Sequence, residues 1–120
     1  MRRGDIVTVA LSGDYGKPRP AVIIQSNLLP PIKSVLICPF STTLREVPLI
    51  RLGVDANAET GLRRPSQIMV DKITAIRRDR VGPPIGRLDK ATLTALDQIL
   101  AFVIGIADRG GAETVGDPSD

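Results

Sequence analysis

The hydrophobic period of this chain changes once, and that change limits what it can fold into. Up to Gly86 the apolar residues come in short, β-branched runs separated by glycine and proline, the pattern of strands joined by turns. From Asp89 onward Leu93, Leu96, Ile99, Leu100, Val103 and Ile104 recur at three- and four-residue spacings, the pattern of an amphipathic helix. Gly82-Pro83-Pro84-Ile85-Gly86 lies at the junction and cannot be helix, because each proline removes a donor and its ring clashes with the preceding turn. The expected architecture is mainly β, closed by one C-terminal helix over about 89–107 and capped at Asp89.

The strands follow from the runs. Ile6 to Leu11 reads as the first, Ala21 to Gln25 as the second and Val35 to Pro39 as the third. Val47 to Leu52 reads as a fourth, placed at an edge or a strand start by Pro48. Ser12 to Pro18 and Gly53 to Gly61 read as loops, while Gln67–Val70 and Ile73–Ile76 are two further short apolar segments for a small sheet. At 120 residues the chain fits one domain, expected over 1–107, followed by a flexible acidic tail over 108–120.

Charge and composition narrow the partners. The net charge is +3, but the tail sets Asp108, Glu113, Asp117 and Asp120 against Arg109 alone, which leaves six excess positive charges on the body. Such a body favours a polyanion such as nucleic acid. Aromatics are only 2% and tryptophan is absent, so binding would rest on charge, hydroxyls and backbone, not on a row of stacking rings. The lone cysteine, Cys38, sits in an apolar strand and permits no internal disulfide, which points to a reducing compartment. With neither a signal-type segment nor a run of about 18 apolar residues, a cytoplasmic protein without membrane contact is expected.

The chemistry-bearing residues cluster at strand ends. Arg19 stands in Gly16-Lys17-Pro18-Arg19-Pro20, directly before Ala21-Val22-Ile23-Ile24, and Ser41-Thr42-Thr43 follows the run Val35 to Phe40. One cation and several hydroxyls presented at strand ends could form an anion site, with phosphate the favoured ligand.

Taken in order, Gly4-Asp5-Ile6-Val7, Arg19-Pro20-Ala21-Val22-Ile23, Pro39-Phe40-Ser41-Thr42 and Gly61-Leu62-Arg63-Arg64-Pro65-Ser66-Gln67 give a series that resembles the MazF/PemK (also called Kid) family of toxin endoribonucleases. The resemblance runs from about Arg3 to Ile104, and its specificity lies in order and spacing. It implies an SH3-like β-barrel of the type shared with CcdB toxins, a homodimer, and sequence-preferring cleavage of single-stranded RNA with no metal or other cofactor. It also implies a cognate antitoxin whose flexible acidic segment occupies the RNA groove.

The implied reaction is attack of a ribose 2′-hydroxyl on the adjacent phosphate. It requires proton removal from the 2′-oxygen, charge stabilisation and proton delivery to the leaving oxygen. Histidine, the usual choice, is absent. By resemblance Arg19 and Ser41 are the catalytic residues, and Thr42, Thr43, Lys17, Arg64, Ser66 and Gln67 bind RNA or phosphate. A guanidinium is a poor base, so Arg19 belongs chiefly to phosphate and transition-state stabilisation. One branch of the family has an aspartate two residues after the arginine matched by Arg64; here Ser66 stands there, and serine cannot replace a carboxylate base. Either Arg19 with Ser41 carries the chemistry, or a carboxylate such as Asp5, Asp14 or Glu46 does. Two other readings share the barrel: a CcdB-like gyrase inhibitor, disfavoured by the ending Asp117-Pro118-Ser119-Asp120, and a catalytically silent binding module.

Overall fold

The computed structural model describes residues 1–10 and 17–108; the loop from Ser12, with Asp14, and the acidic tail beyond Asp108 lie outside the described residues. Seven strands run in chain order: β1 Asp5–Ala10, β2 Pro18–Ile23, β3 Ser34–Ser41, β4 Arg51–Val54, β5 Ser66–Met69, β6 Thr74–Arg77 and β7 Val81–Arg87. They form one antiparallel sheet in the order β4-β5-β3-β2-β1-β7, with β6 also paired to β3. The central strands read as continuous apolar runs because both faces are covered. Ile6, Val22 and Cys38 point to one side, where they meet Leu96 and Leu100 of the helix α1, Lys90–Val103. Val7, Val9, Ala21, Ile23, Val35 and Ile37 form a second cluster on the other side. Leu96 is fully buried, which contributes roughly 1.5–3 kcal/mol relative to exposure.

Several boundaries differ from those the sequence suggests. β2 begins at Pro18, so Arg19 lies inside the strand, paired with Val9 of β1. β3 continues through Pro39 to Ser41 and changes partner on the way: Ser34 to Ile37 pair with β6, whereas Phe40 and Ser41 pair with β5. The segment expected as strand at Val47 is a turn, in which Val47 O accepts from Ile50 N at 3.0 Å and Arg51 N at 2.9 Å. The strand therefore starts at Arg51 and takes in Gly53 and Val54 from the expected loop. The proline-rich junction is itself strand β7. It is tolerated because β7 is an edge strand, paired to β1 alone through an irregular register in which Val7 faces Pro84.

The two edges of the sheet are joined by a loop and not by a strand pair. Among the described residues no ladder joins β4 to β7; instead the segment after β4 folds onto the end of β7, with Arg87 N donating to Glu59 O at 2.9 Å. Two glycines make that approach possible. A Cβ on Gly86 would collide with the Thr60 carbonyl, and one on Gly61, whose φ is 70°, would collide with the carbonyl of Ile85. The result agrees with the expected mainly β, barrel-like fold.

α1 starts where the sequence indicates. Asp89 accepts from Thr92 N at 2.7 Å, and hydrogen bonding from the Thr92 side chain, then from its backbone N–H, holds the Asp89 carboxyl below the usual range. The helix is shorter than expected: it stops at Val103, Gly105 adopts φ 87°, and a single 3-10 turn follows over Ile106–Asp108. Arg3 ties the N-terminal segment to it through a 2.7 Å ion pair with Asp97. Among the described residues no helix is long and apolar enough to cross a membrane.

Candidate active site

Strand register turns four distant sequence segments into one row. β2 and β3 pair as far as Ala21 with Pro39, and just beyond the end of that ladder Arg19 of β2 and Ser41 of β3 line the same cavity. Ser41 pairs in turn with Gln67 of β5, and Gln67 with Gly53 of β4. Opposed residues in an antiparallel pair share a face, so Arg19, Ser41 and Gln67 project on the side away from Phe40, Ile68 and Leu52. Phe40 and Ile68 are core residues, and Leu52 packs against them. A polar line thus crosses four strands on the back of an apolar one.

At the end of β3 the hydroxyls sit on a tight turn. Ser41 Oγ accepts from Thr43 N at 3.0 Å and donates to Thr43 O at 3.3 Å, a long bond for a hydroxyl. Thr42 and Thr43 are exposed. The turn is fastened to β5 by the Gln67 side chain, whose Oε1 accepts from Arg45 N and whose Nε2 donates to Arg45 O, both at 3.0 Å. Arg51 completes the fastening, with Nη1 donating to Gln67 Oε1 at 3.0 Å and to Thr43 O at 3.1 Å.

Two adjoining cavities lie along this row. One, of about 490 Å³, is lined by Arg19, Ser41, Thr42, Thr43, Ser66 and Lys72 among others. The second, of about 530 Å³, shares Pro20, Thr42 and Ser66 with it and brings in Arg63 and Arg64. The structure therefore brings together Arg19, Ser41, Thr42, Thr43, Ser66 and Arg64. Lys17 is exposed just before β2 and does not line either cavity. Gln67 lines neither, its amide being occupied by Arg45 and Arg51. Ser66 is buried, and its hydroxyl donates to Arg64 O at 2.9 Å, so its proton is already committed. Sequence reasoning missed Arg51 and Lys72; Lys72 is one of eight Lys and Arg between Arg63 and Lys90, whereas nothing in the local sequence marks Arg51.

The electrostatics of the groove are cationic. No carboxylate among the described residues lines either cavity. Of the carboxylates considered from the sequence, Asp5 is buried on β1, where it accepts from Arg2 N at 2.8 Å, and Glu46 is exposed outside the groove. Cys38 lies in the core beneath, its thiol pushed up to about 12 by burial and then by the charge of Asp71. Among the described residues no cluster of three or more His, Cys, Asp or Glu could hold a metal ion. The arrangement is suited to holding a phosphodiester: cations along the walls and hydroxyl donors at the crossing point.

Comparison with known proteins identifies the family. The family model described as PemK-like, MazF-like toxin of type II toxin-antitoxin system matches residues 2–104. The chain is 40% identical over 108 residues to a probable endoribonuclease MazF of Mycolicibacterium smegmatis, covering 89% of this chain and 99% of that protein. It is similar to the solved Mycobacterium tuberculosis toxin MazF-mt6, with a TM-score of 0.72 and 26% identity over 84% of this chain and 96% of that one. It shares its fold with an endoribonuclease in complex with its cognate antitoxin from a mycobacterial species, at a TM-score of 0.73 and 21% identity over 88% of this chain and 96% of that one. With the family pattern matched across nearly the whole described fold, this chain belongs to the PemK-like, MazF-like toxins of type II toxin-antitoxin systems.

Proposed function

We propose that the groove beneath Arg19 is where this MazF-like toxin endoribonuclease cuts single-stranded RNA without a metal ion. The observation that carries the reading is the cavity at the end of the β2–β3 pair, which Arg19 lines together with Ser41, Thr42 and Thr43. The 2′-oxygen forms a bond to phosphorus as the bond to the 5′-oxygen breaks. One proton leaves the first oxygen and one is delivered to the second, giving a 2′,3′-cyclic phosphate and a free 5′-hydroxyl. Arg19 balances the charge that grows on the phosphate. Ser41 turns its weakly held hydroxyl from Thr43 O to a phosphate oxygen, assisted by Thr42 and Thr43. Arg64 and Lys17 bind flanking phosphates, Ser66 shapes the Arg64 backbone, and DNA is spared because it lacks the 2′-hydroxyl.

The same reading takes the toxin as a cytoplasmic homodimer, silenced by an antitoxin whose acidic segment lies along these cations. The test is incubation with a long, mixed-sequence RNA in excess chelator, beside Arg19→Ala, with mapping of the new ends. Discrete cuts bearing cyclic phosphates, lost in the variant, are the expected result. Intact RNA, or undiminished cleavage by Arg19→Ala, would overturn the proposal.

A further inference from the structure

We infer that Arg51 is a positioning residue, which together with Gln67 clamps the hydroxyl turn so that Ser41 faces Arg19; this inference rests on the reading of the groove just given. The placement starts from register. Arg51 pairs with Met69 and Gly53 with Gln67, so Arg51, Gly53, Gln67 and Ser41 all present to one face of β4, β5 and β3. Gly53 carries no side chain there, and nothing stands within 4 Å of where its Cβ would be. Arg51 on the same face reaches the diagonal Gln67 and on to Thr43 O, at 3.0 and 3.1 Å.

The clamp has two jaws. Gln67 grips the Arg45 backbone at both N and O, and with Arg51 also on its Oε1 the amide is held by three bonds. Arg51 grips the Thr43 carbonyl, the same oxygen that takes the Ser41 hydroxyl. The turn is thus pinned on either side of Leu44, and Ser41 sits at its root. Both Arg51 bonds leave from Nη1 alone, so the guanidinium acts here as a single multiple donor and its planar fork is not used.

The test compares Arg51→Ala, Arg51→Lys and Gln67→Ala, each also in a Ser41→Ala background, by kinetics and by amide hydrogen exchange. A displaced turn should lower kcat by roughly 10- to 100-fold with little change in KM, the cost of about an ångström of misplacement. Arg51→Lys, with three donors on one nitrogen, should retain most of the rate. In the Ser41→Ala background the loss from Arg51→Ala should largely vanish, because the clamp acts through that hydroxyl. Exchange protection at the Arg45 amide should fall in both alanine variants. Two results would overturn the inference: a raised KM with unchanged kcat and a salt dependence shallower by about 0.7, the mark of a lost phosphate contact, or unchanged protection at Arg45. If the unmodified toxin cleaves no RNA, the ribonuclease reading falls while the exchange data still decide the clamp.

Discussion

Two serines in the groove carry the same group and differ in what they can do with it. Ser66 donates at 2.9 Å to Arg64 O, whereas Ser41 holds Thr43 O only at 3.3 Å and can release it at small cost. The sequence shows hydroxyls at both positions, but a hydroxyl's commitment depends on which carbonyl lies beside it. The same holds for Gln67, whose amide would suit base recognition and is taken up by the Arg45 backbone. Cys38 is the opposite case, since a thiol within an apolar run is expected to be buried, and it is fully so. With its pKa pushed up to about 12, it stays protonated over the physiological range. Native protein at roughly neutral to mildly alkaline pH should therefore resist thiol alkylation and react fully once denatured. Mass spectrometry checks this; equal modification of both states would contradict the burial.

At the scale of elements, the helix was legible at its start and less so at its end. An aspartate before an amphipathic run is a local signal, and Asp89 does cap α1. The carboxylate's pKa lies below its ordinary value of 3.8, so its contribution to stability is present above that pH and is lost as pH falls through the lowered value. Asp89→Ala should thus melt at a lower temperature than the parent at neutral pH, with the gap closing under strongly acidic conditions. A gap independent of pH would show that the cap does not act through its charge. The helix stops at Val103, short of the expected end near 107, because of the two glycines the sequence offers as terminators, Gly105 and Gly110, it is Gly105 whose left-handed φ of 87° follows the last turn. β7 was invisible from its own residues. Its two prolines look like punctuation, and only the neighbouring β1 supplies the edge on which they are tolerated.

The whole molecule depends on a seam that no strand pair provides, the packing of the loop after β4 on β7. Gly61→Ala and Gly86→Ala should each cost about 1–3 kcal/mol or more, because the added methyl meets backbone that cannot move aside. Gly53→Ala, with open space around its Cβ, should change stability by about 0.5 kcal/mol or less. Denaturant unfolding measures all three, and equal costs would show that the seam is not rigid. The sequence alone determined the class of fold and the motif-bearing segments, since period, turn residues and the order of short motifs are properties of neighbours along the chain. It also marked Arg19, Ser41, Thr42, Thr43, Ser66 and Arg64, which the folded chain gathers into one groove. Tertiary structure decided the rest: Arg51 and Lys72 in or beside the site, Gln67 as a fastener, and the loop seam between β4 and β7. Each of these depends on which strand lies beside which and in what register, a fact set by packing between residues far apart in sequence.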